Sequence, residues 1–218
     1  MKILLLNILC VLFFCDAHGI DLNASVKEGD VLVIDAQDSF KIDRQKKAVS
    51  ANGSVKAVKG DVTLLCDKLT LLYKENKKTK QDQVDRIVAN GNVVVQRQGQ
   101  ELRSKTLVAY MKKTKTGETE LDYITAEGDL IVTTEQEVIT ARKLVYKAVP
   151  DIVYLYQDVK ITREENQLSG QYGEVSRKTG ISKILPVVPG QDKNKSGRIQ
   201  ALIIPKSSTR PVSKKEIK

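Results

Sequence analysis

The sequence contains very little histidine and cysteine. Its 218 residues include one His and three Cys, and His18, Cys10 and Cys15 all lie within the first nineteen. If that segment is removed, Cys66 remains alone, so an intramolecular disulfide and a cysteine metal cluster are excluded. Histidine metal ligation and a cysteine–histidine nucleophile are excluded by the same count. Cys66, which follows two leucines, is interpreted as a small buried hydrophobic residue.

Tryptophan is absent, and aromatic residues make up 5% of the chain. This shortage disfavours a surface that stacks nucleic-acid bases. The formal net charge of +9 favours a polyanionic partner. The basic residues are scattered along the chain, and in an exported protein they fit a phosphorylated glycolipid better than nucleic acid. Carboxylates such as Asp35, Asp61 and Asp67 show no acid–base spacing, so no catalytic residue, metal or cofactor is expected.

The first nineteen residues have the layout of a secretory signal. Met1-Lys2 is a short positive start, residues 3–15 are almost entirely apolar, and Ala17-His18-Gly19 is a small-x-small cleavage site. The apolar run is shorter than the roughly 20 residues that span a bilayer. We therefore predict export with cleavage after Gly19. A retained N-terminal anchor is the alternative.

One pattern occurs four times along the chain. It is clearest at residues 87–95 and returns at 49–55, at 124–132 and, more loosely, at 153–161. The glycines of the three clear copies are 38 and 37 residues apart, and each copy is followed by an alternating run that ends in tyrosine. A fixed period indicates one supersecondary unit stacked repeatedly. No stretch shows a sustained helical period, so each unit is predicted to be two strands.

The Asn-Gly within the repeat has two interpretations. Asn-Gly between apolar residues is the strongest short-range signal for a two-residue hairpin turn. A hairpin on Asn52-Gly53 would mix polar and apolar residues on both faces. A strand that continues through it places Val49, Ala51 and Val55 on one face, and burial of one face sets the register. We therefore predict a long strand with a β-bulge at the glycine.

The regions outside the repeats are predicted to add one strand at each end. Residues 31–36 read as the first strand, and residues 41–47 as a charged turn before the first repeat. Residues 198–204 read as the last strand, closed by Pro205. Residues 206–218 form a basic tail that is predicted to be disordered.

The repeated Ala-x-Gly-Asn-Val-x-Val pattern in an exported chain resembles the OstA-like family. Its most specific matches are residues 89–95 and the closing segment at 197–205, and the resemblance covers about residues 31–205. Gln157 stands where the family's glycine is expected. The resemblance implies an all-β domain over residues 20–205. Its fold would be a single twisted, open β-jellyroll of long antiparallel strands.

The resemblance also implies a periplasmic function. Members carry lipopolysaccharide from an inner-membrane export complex to an outer-membrane assembly protein and shelter the lipid A acyl chains inside the jellyroll. The implied partners are lipopolysaccharide, the inner- and outer-membrane jellyroll components of this bridge, and further copies of the chain, head to tail. Two alternatives stay open: a membrane-anchored jellyroll partner of the same pathway, and an exported structural β-repeat protein that binds no lipid.

The predicted lipid-binding site consists of apolar side chains on the inward face of the repeat strands. They are Val49, Val55, Ile87, Val93, Val95, Ile124, Leu130, Val132, Val153, Leu155, Val159 and Ile161. The predicted interface consists of apolar residues in the two terminal strands, which would pair with the neighbouring jellyroll by strand addition. They are Val31, Val33, Ile199, Ala201 and Ile203. Lysines and arginines near the open ends are expected to meet lipid phosphates.

Overall fold

A computed structural model describes residues 32–75, 82–114, 119–191 and 197–204. The predicted signal at residues 1–19, Val31 of the predicted interface and the tail at 206–218 lie outside these ranges. Within them, no helix is long and apolar enough to cross a membrane. The strands are β1 (Val33–Asp35), β2 (Ser39–Asp43), β3 (Ala48–Lys59), β4 (Val62–Glu75), β5 (Asp82–Arg97), β6 (Gln100–Lys113), β7 (Thr119–Thr133), β8 (Glu137–Lys147), β9 (Ile152–Arg163), β10 (Asn166–Ser176), β11 (Ile181–Leu185) and β12 (Gln200–Leu202).

All twelve strands belong to one antiparallel sheet. Eight long strands, β3 to β10, follow one another as a meander, and each pairs with the next. The four predicted repeat units are confirmed as the strand pairs β3–β4, β5–β6, β7–β8 and β9–β10. Short strands complete the two edges, because β1 and β2 share the outer side of β3 while β11 and β12 share that of β10.

The continuous strand through each Asn-Gly is confirmed, and the hairpin interpretation is wrong. In β5 the register with β6 shifts at the glycine, where φ is +75° at Gly91 and +45° at Asn92. β3 and β7 shift at the corresponding glycines. β9 makes the same bulge without glycine, with φ of +61° at Gln157 and +52° at Asp158. The bulge is therefore a property of the repeat, and glycine adopts its positive φ at the lowest steric cost.

These bulges lie at one level across the sheet and form a row that we name the belt. It comprises residues 52–54, 90–92, 127–129 and 156–158 together with the residues facing them on the even-numbered strands. On both sides of the belt, inward side chains that are 0–8% exposed form one cluster. The described strands form a single sheet, so the sheet covers its own face by bending at the belt. This is the open jellyroll that the sequence predicts.

Predictions for the sheet edges are partly wrong. Residues 41–43, predicted as the start of a charged turn, belong to β2, in which Phe40 and Ile42 alternate with polar residues. The first strand is shorter than predicted, since the chain bends at residues 37–38 and donates Gln37 N–H to Gly53 O at 2.8 Å. The last strand is limited to residues 200–202, so Ile199 and Ile203 flank it. β11 is not foreseen from the sequence.

Candidate functional site

Side chains on the two sides of the belt alternate in size. On one side, alanines of odd strands alternate with leucines of even strands at one level: Ala51, Leu69, Ala89, Leu107, Ala126 and Leu144. On the other side the order is reversed: Val55, Cys66, Val93, Ser104, Leu130 and Ala141. All twelve are 0–7% exposed. Each of these strands thus carries one large and one small residue across the bend. This pairing allows the side chains on the two sides of the bend to pack closely.

This pattern explains the alanine of the repeat motif. Ala89 is fully buried beside Leu69 and Leu107, its register partners on the two neighbouring strands. A larger side chain at this level would overpack the bend. The recurrence of alanine directly before each Asn-Gly was the sequence signal for this role, although the predicted site residues do not include it.

The predicted lipid-binding residues all lie on the inward face. Nine of the twelve are buried, and Val49 and Val153 are half-buried and pack against the same cluster. Ile161 is half-buried and pairs with Ile139 of β8. The structure therefore brings the predicted set together as one continuous apolar face. Contact with lipid remains a prediction.

The outer side of the belt is polar. Lys105 Nζ lies 2.7 Å from Asp129 Oδ2, Arg142 Nε lies 2.9 Å from Asp158 Oδ2, and Lys143 Nζ lies 2.7 Å from Glu127 Oε1. All six side chains are substantially exposed. Exposed pairs of this kind add little stability. They do keep the outside of the bend soluble while the inside is apolar.

At the first edge of the sheet, the inward face ends in exposed apolar side chains. Phe40 of β2 pairs with Ala51, and Ile42 pairs with Val49, so both continue inward levels of the sheet. Phe40 is 55% exposed and Ile42 is 66% exposed. Sequence reasoning missed both residues because they lie at and beside the segment interpreted as a turn. The predicted Val33 lies at the same edge and is also half exposed.

At the last edge, two glycines make room for a side chain of the capping strand. Gly170 and Gly173 occupy buried inward positions of β10. A Cβ at Gly170 would collide with Ile184 Cγ2 and lie 2.9 Å from Leu185 O, and one at Gly173 would lie 3.3 Å from Ile184 Cδ1. Ile184 of β11 therefore packs over the glycines and closes the cluster at this end. Beyond it, the predicted interface residues Ile199, Ala201 and Ile203 are exposed.

Two titratable groups of the interior, Cys66 and Tyr146, are held in their neutral forms. Burial raises the pKa of the Cys66 thiol to about 11. Burial also raises the pKa of Tyr146, whose hydroxyl donates a hydrogen bond to Asp151 Oδ1 at 2.9 Å. Among the described residues, no group of three or more His, Cys, Asp and Glu could hold a metal ion. The arrangement suits the burial of an apolar ligand, provided that the two sides of the bend can part.

A comparison with protein families identifies the family of this chain. The model of a family described as "LptA/(LptD N-terminal domain) LPS transport protein" matches residues 33–90 and 77–181. The comparison with curated proteins gives no match. Among solved structures, the chain is similar to LptH of Pseudomonas aeruginosa, the LptA homologous periplasmic component of its lipopolysaccharide transport device. That similarity has a TM-score of 0.35 at 15% identity and covers 81% of this chain and 96% of that chain.

Proposed function

Because this chain belongs to the LptA/LptD N-terminal-domain family of lipopolysaccharide-transport proteins, we propose that it is the periplasmic bridge component of such a system. It would carry lipopolysaccharide from the inner-membrane export complex to the outer-membrane assembly protein. The acyl chains would lie against the inward face.

The observation that supports this proposal best is the continuity of the inward face. It runs through β3 to β9 as one apolar cluster, which Ile184 of β11 extends over β10. It ends in exposed apolar residues at both edges, Phe40 and Ile42 at the first and Ala201 at the last. A face that stopped short of the edges could hold a lipid but could not pass it on. Each acyl methylene buried there contributes roughly 0.8 kcal/mol, and similar affinity along the face allows transfer without a catalyst.

The edges support stacking of one jellyroll on the next. The short strands β1, β2, β11 and β12 leave their outer backbone groups available for strand addition within the described ranges. Apolar side chains exposed beside these strands would be covered by the neighbouring jellyroll. Copies of this chain, or the jellyroll components at either membrane, would then extend one apolar path.

A structural β-repeat protein that binds no lipid is the second candidate. The low exposure of the inward residues, 0–8% for the buried cluster, is the observation that favours it. The bridge proposal requires the two sides of the bend to separate when lipid enters. The structural alternative requires them to stay together, so the two candidates differ in a measurable way.

Site-specific photo-crosslinking with lipopolysaccharide tests the proposal. A photoreactive residue at the inward Val95 or Val132 should capture lipid, and one at the adjacent outward Val94 or Ile131 should not. These pairs share strands β5 and β7 and differ only in face. Capture at the outward positions alone, or at none of the four, would refute lipid binding by the inward face and favour the structural alternative.

A further inference from the structure

The two ends of the bent strands differ in polarity on the inward face. We define the polar lip as the inward row at the turns that join β3–β4, β5–β6, β7–β8 and β9–β10. Its polar members are Lys59, Arg97, Gln100, Glu137, Arg163 and Asn166. The buried Val62 of β4 also belongs to this row and lies between Lys59 and Arg97 by strand register. At the opposite strand ends, the apolar lip consists of Tyr73, Val84, Met111, Leu121 and Ala148, which all belong to or pack against the buried cluster.

The polar lip carries more cations than anions. Lys59 is only 8% exposed, and the side chain of Arg97 is 10% exposed with its Nε 2.8 Å from Asp61 Oδ2. Arg163 donates to Gln136 Oε1, and Glu137 pairs with Arg163 in register. Arg163 is exposed at the rim of the lip, whereas Lys59 and Arg97 are poorly hydrated. Lysine and arginine bind phosphate oxygens through charge-assisted hydrogen bonds, which strengthen where water is scarce.

Gln100 adds a polar atom to the same lip. Its side-chain Oε1 is buried and has no hydrogen-bond partner in the part of the chain that the structure describes. A buried acceptor of this kind is stabilised by a donor from elsewhere. A sugar hydroxyl beside a phosphate would supply that donor.

The charges near the apolar lip are matched in pairs. Lys47 Nζ lies 2.8 Å from Asp82 Oδ1 and 3.4 Å from Glu75 Oε2. Lys112 Nζ lies 3.4 Å from Glu120 Oε1. The inward row itself presents aliphatic, thioether and aromatic surface, where an unpaired phosphate would lose its hydration without compensation.

We infer that the jellyroll holds its lipid in one orientation, with the phosphorylated sugar headgroup at the polar lip and the acyl chains directed to the apolar lip. This inference rests on the proposed function. The reverse orientation would place phosphate against Val84 and Leu121 and would leave Lys59 and Arg97 facing acyl chains. The bend brings both lips to the side of the fold opposite the belt, so one amphipathic molecule can reach both.

Binding measurements with two forms of lipid A test the orientation. The native protein should bind bisphosphorylated lipid A more tightly than the same lipid A with both phosphates removed. The double variant K59M/R163Q should reduce this preference by about a hundredfold, since each of the two cation–phosphate bonds is worth about one tenfold step. Its affinity for the dephosphorylated lipid should not change.

The matched control is K56M/K160Q, which removes two cations from the outward face of the same strands, β3 and β9. It should keep the native preference for phosphorylated lipid. Equal loss in the two double variants, or no preference in the native protein, would overturn the orientation. Failure of the native protein to bind either lipid would overturn the proposed function as well, so the two failures are distinguishable.

A second measurement does not depend on a variant. Lipid A with a photoreactive group at the end of an acyl chain should label peptides around Val84 and Leu121 in the native protein. Labelling of peptides around Arg97 and Glu137 would show the opposite orientation.

Discussion

Replacement of Gly91 by alanine tests the belt most directly. Gly91 has a φ of +75°, and an added Cβ would lie 2.7 Å from Asp67 Cγ and 2.9 Å from Asp67 Cβ, closer than real contacts allow. Asp67 accepts hydrogen bonds from Asn92 Nδ2 at 3.0 and 3.2 Å. The left-handed backbone costs an alanine about 1–2 kcal/mol, while reduced freedom of the unfolded chain returns about 0.4–1 kcal/mol. Displacement of Asp67 and loss of the Asn92 bond add about 1–2 kcal/mol.

The free energy of unfolding should therefore fall by about 2–3 kcal/mol in Gly91→Ala. Urea denaturation followed by far-ultraviolet circular dichroism measures this free energy. The chain contains no tryptophan for a fluorescence measurement. Gly180→Ala is the control, because Gly180 has a φ of +68° with no neighbour within 4 Å. Its loss should be about 1 kcal/mol or less. Equal losses in the two variants would refute a role for the Asp67 contact. The same holds if Asp67→Ala fails to reduce the effect of Gly91→Ala.

Four further outcomes are expected. Val93→Asp should abolish lipid crosslinking or folding, because it buries a carboxylate at a position 1% exposed; a folded variant that still binds lipid would contradict this. Leu202→Pro should leave a folded monomer that no longer assembles end to end, and chain formation with the native protein on size-exclusion chromatography would exclude strand addition. Cys66 should react with thiol reagents only after unfolding, and rapid modification at pH 8 would disagree with its raised pKa. Stability should fall as the pH rises above 10, because the pKa of Tyr146 and that of Tyr172, at about 12, exceed the unfolded value of 10.0; a constant urea midpoint from pH 9 to 11 would contradict this.

The long strands were predictable because each contains an alternation of apolar and polar residues in its own sequence. Alternation around Ala51 and Ala89 defines a buried face, and only a strand that continues through the glycine keeps that face intact. Gln157 lies in the same alternation, and the bulge forms there without glycine. The inward residues of the candidate site follow directly from this alternation.

The edges were not predictable by the same reasoning. The positions of the edge strands depend on which long strand has an unpaired edge, and that is a property of the assembled sheet. This applies to β2, which carries Phe40 and Ile42, and to β11, which carries Ile184. The polarity of the lips was also hidden. Lys59 and Arg97 lie beside turns, where a charged residue is normally solvated, and only the register shows that they share an inward row.

The belt also determines how a molecule of this design can change length. Each repeat of 37 or 38 residues adds two strands, which extend the apolar path by about 10 Å at the usual interstrand spacing. Duplication or loss of a whole repeat would preserve the alternation of large and small residues at the bend. A single inserted strand would place leucine beside leucine and reverse the chain direction for everything after it. Relatives of different reach should therefore differ by even numbers of strands, with an unchanged cross-section.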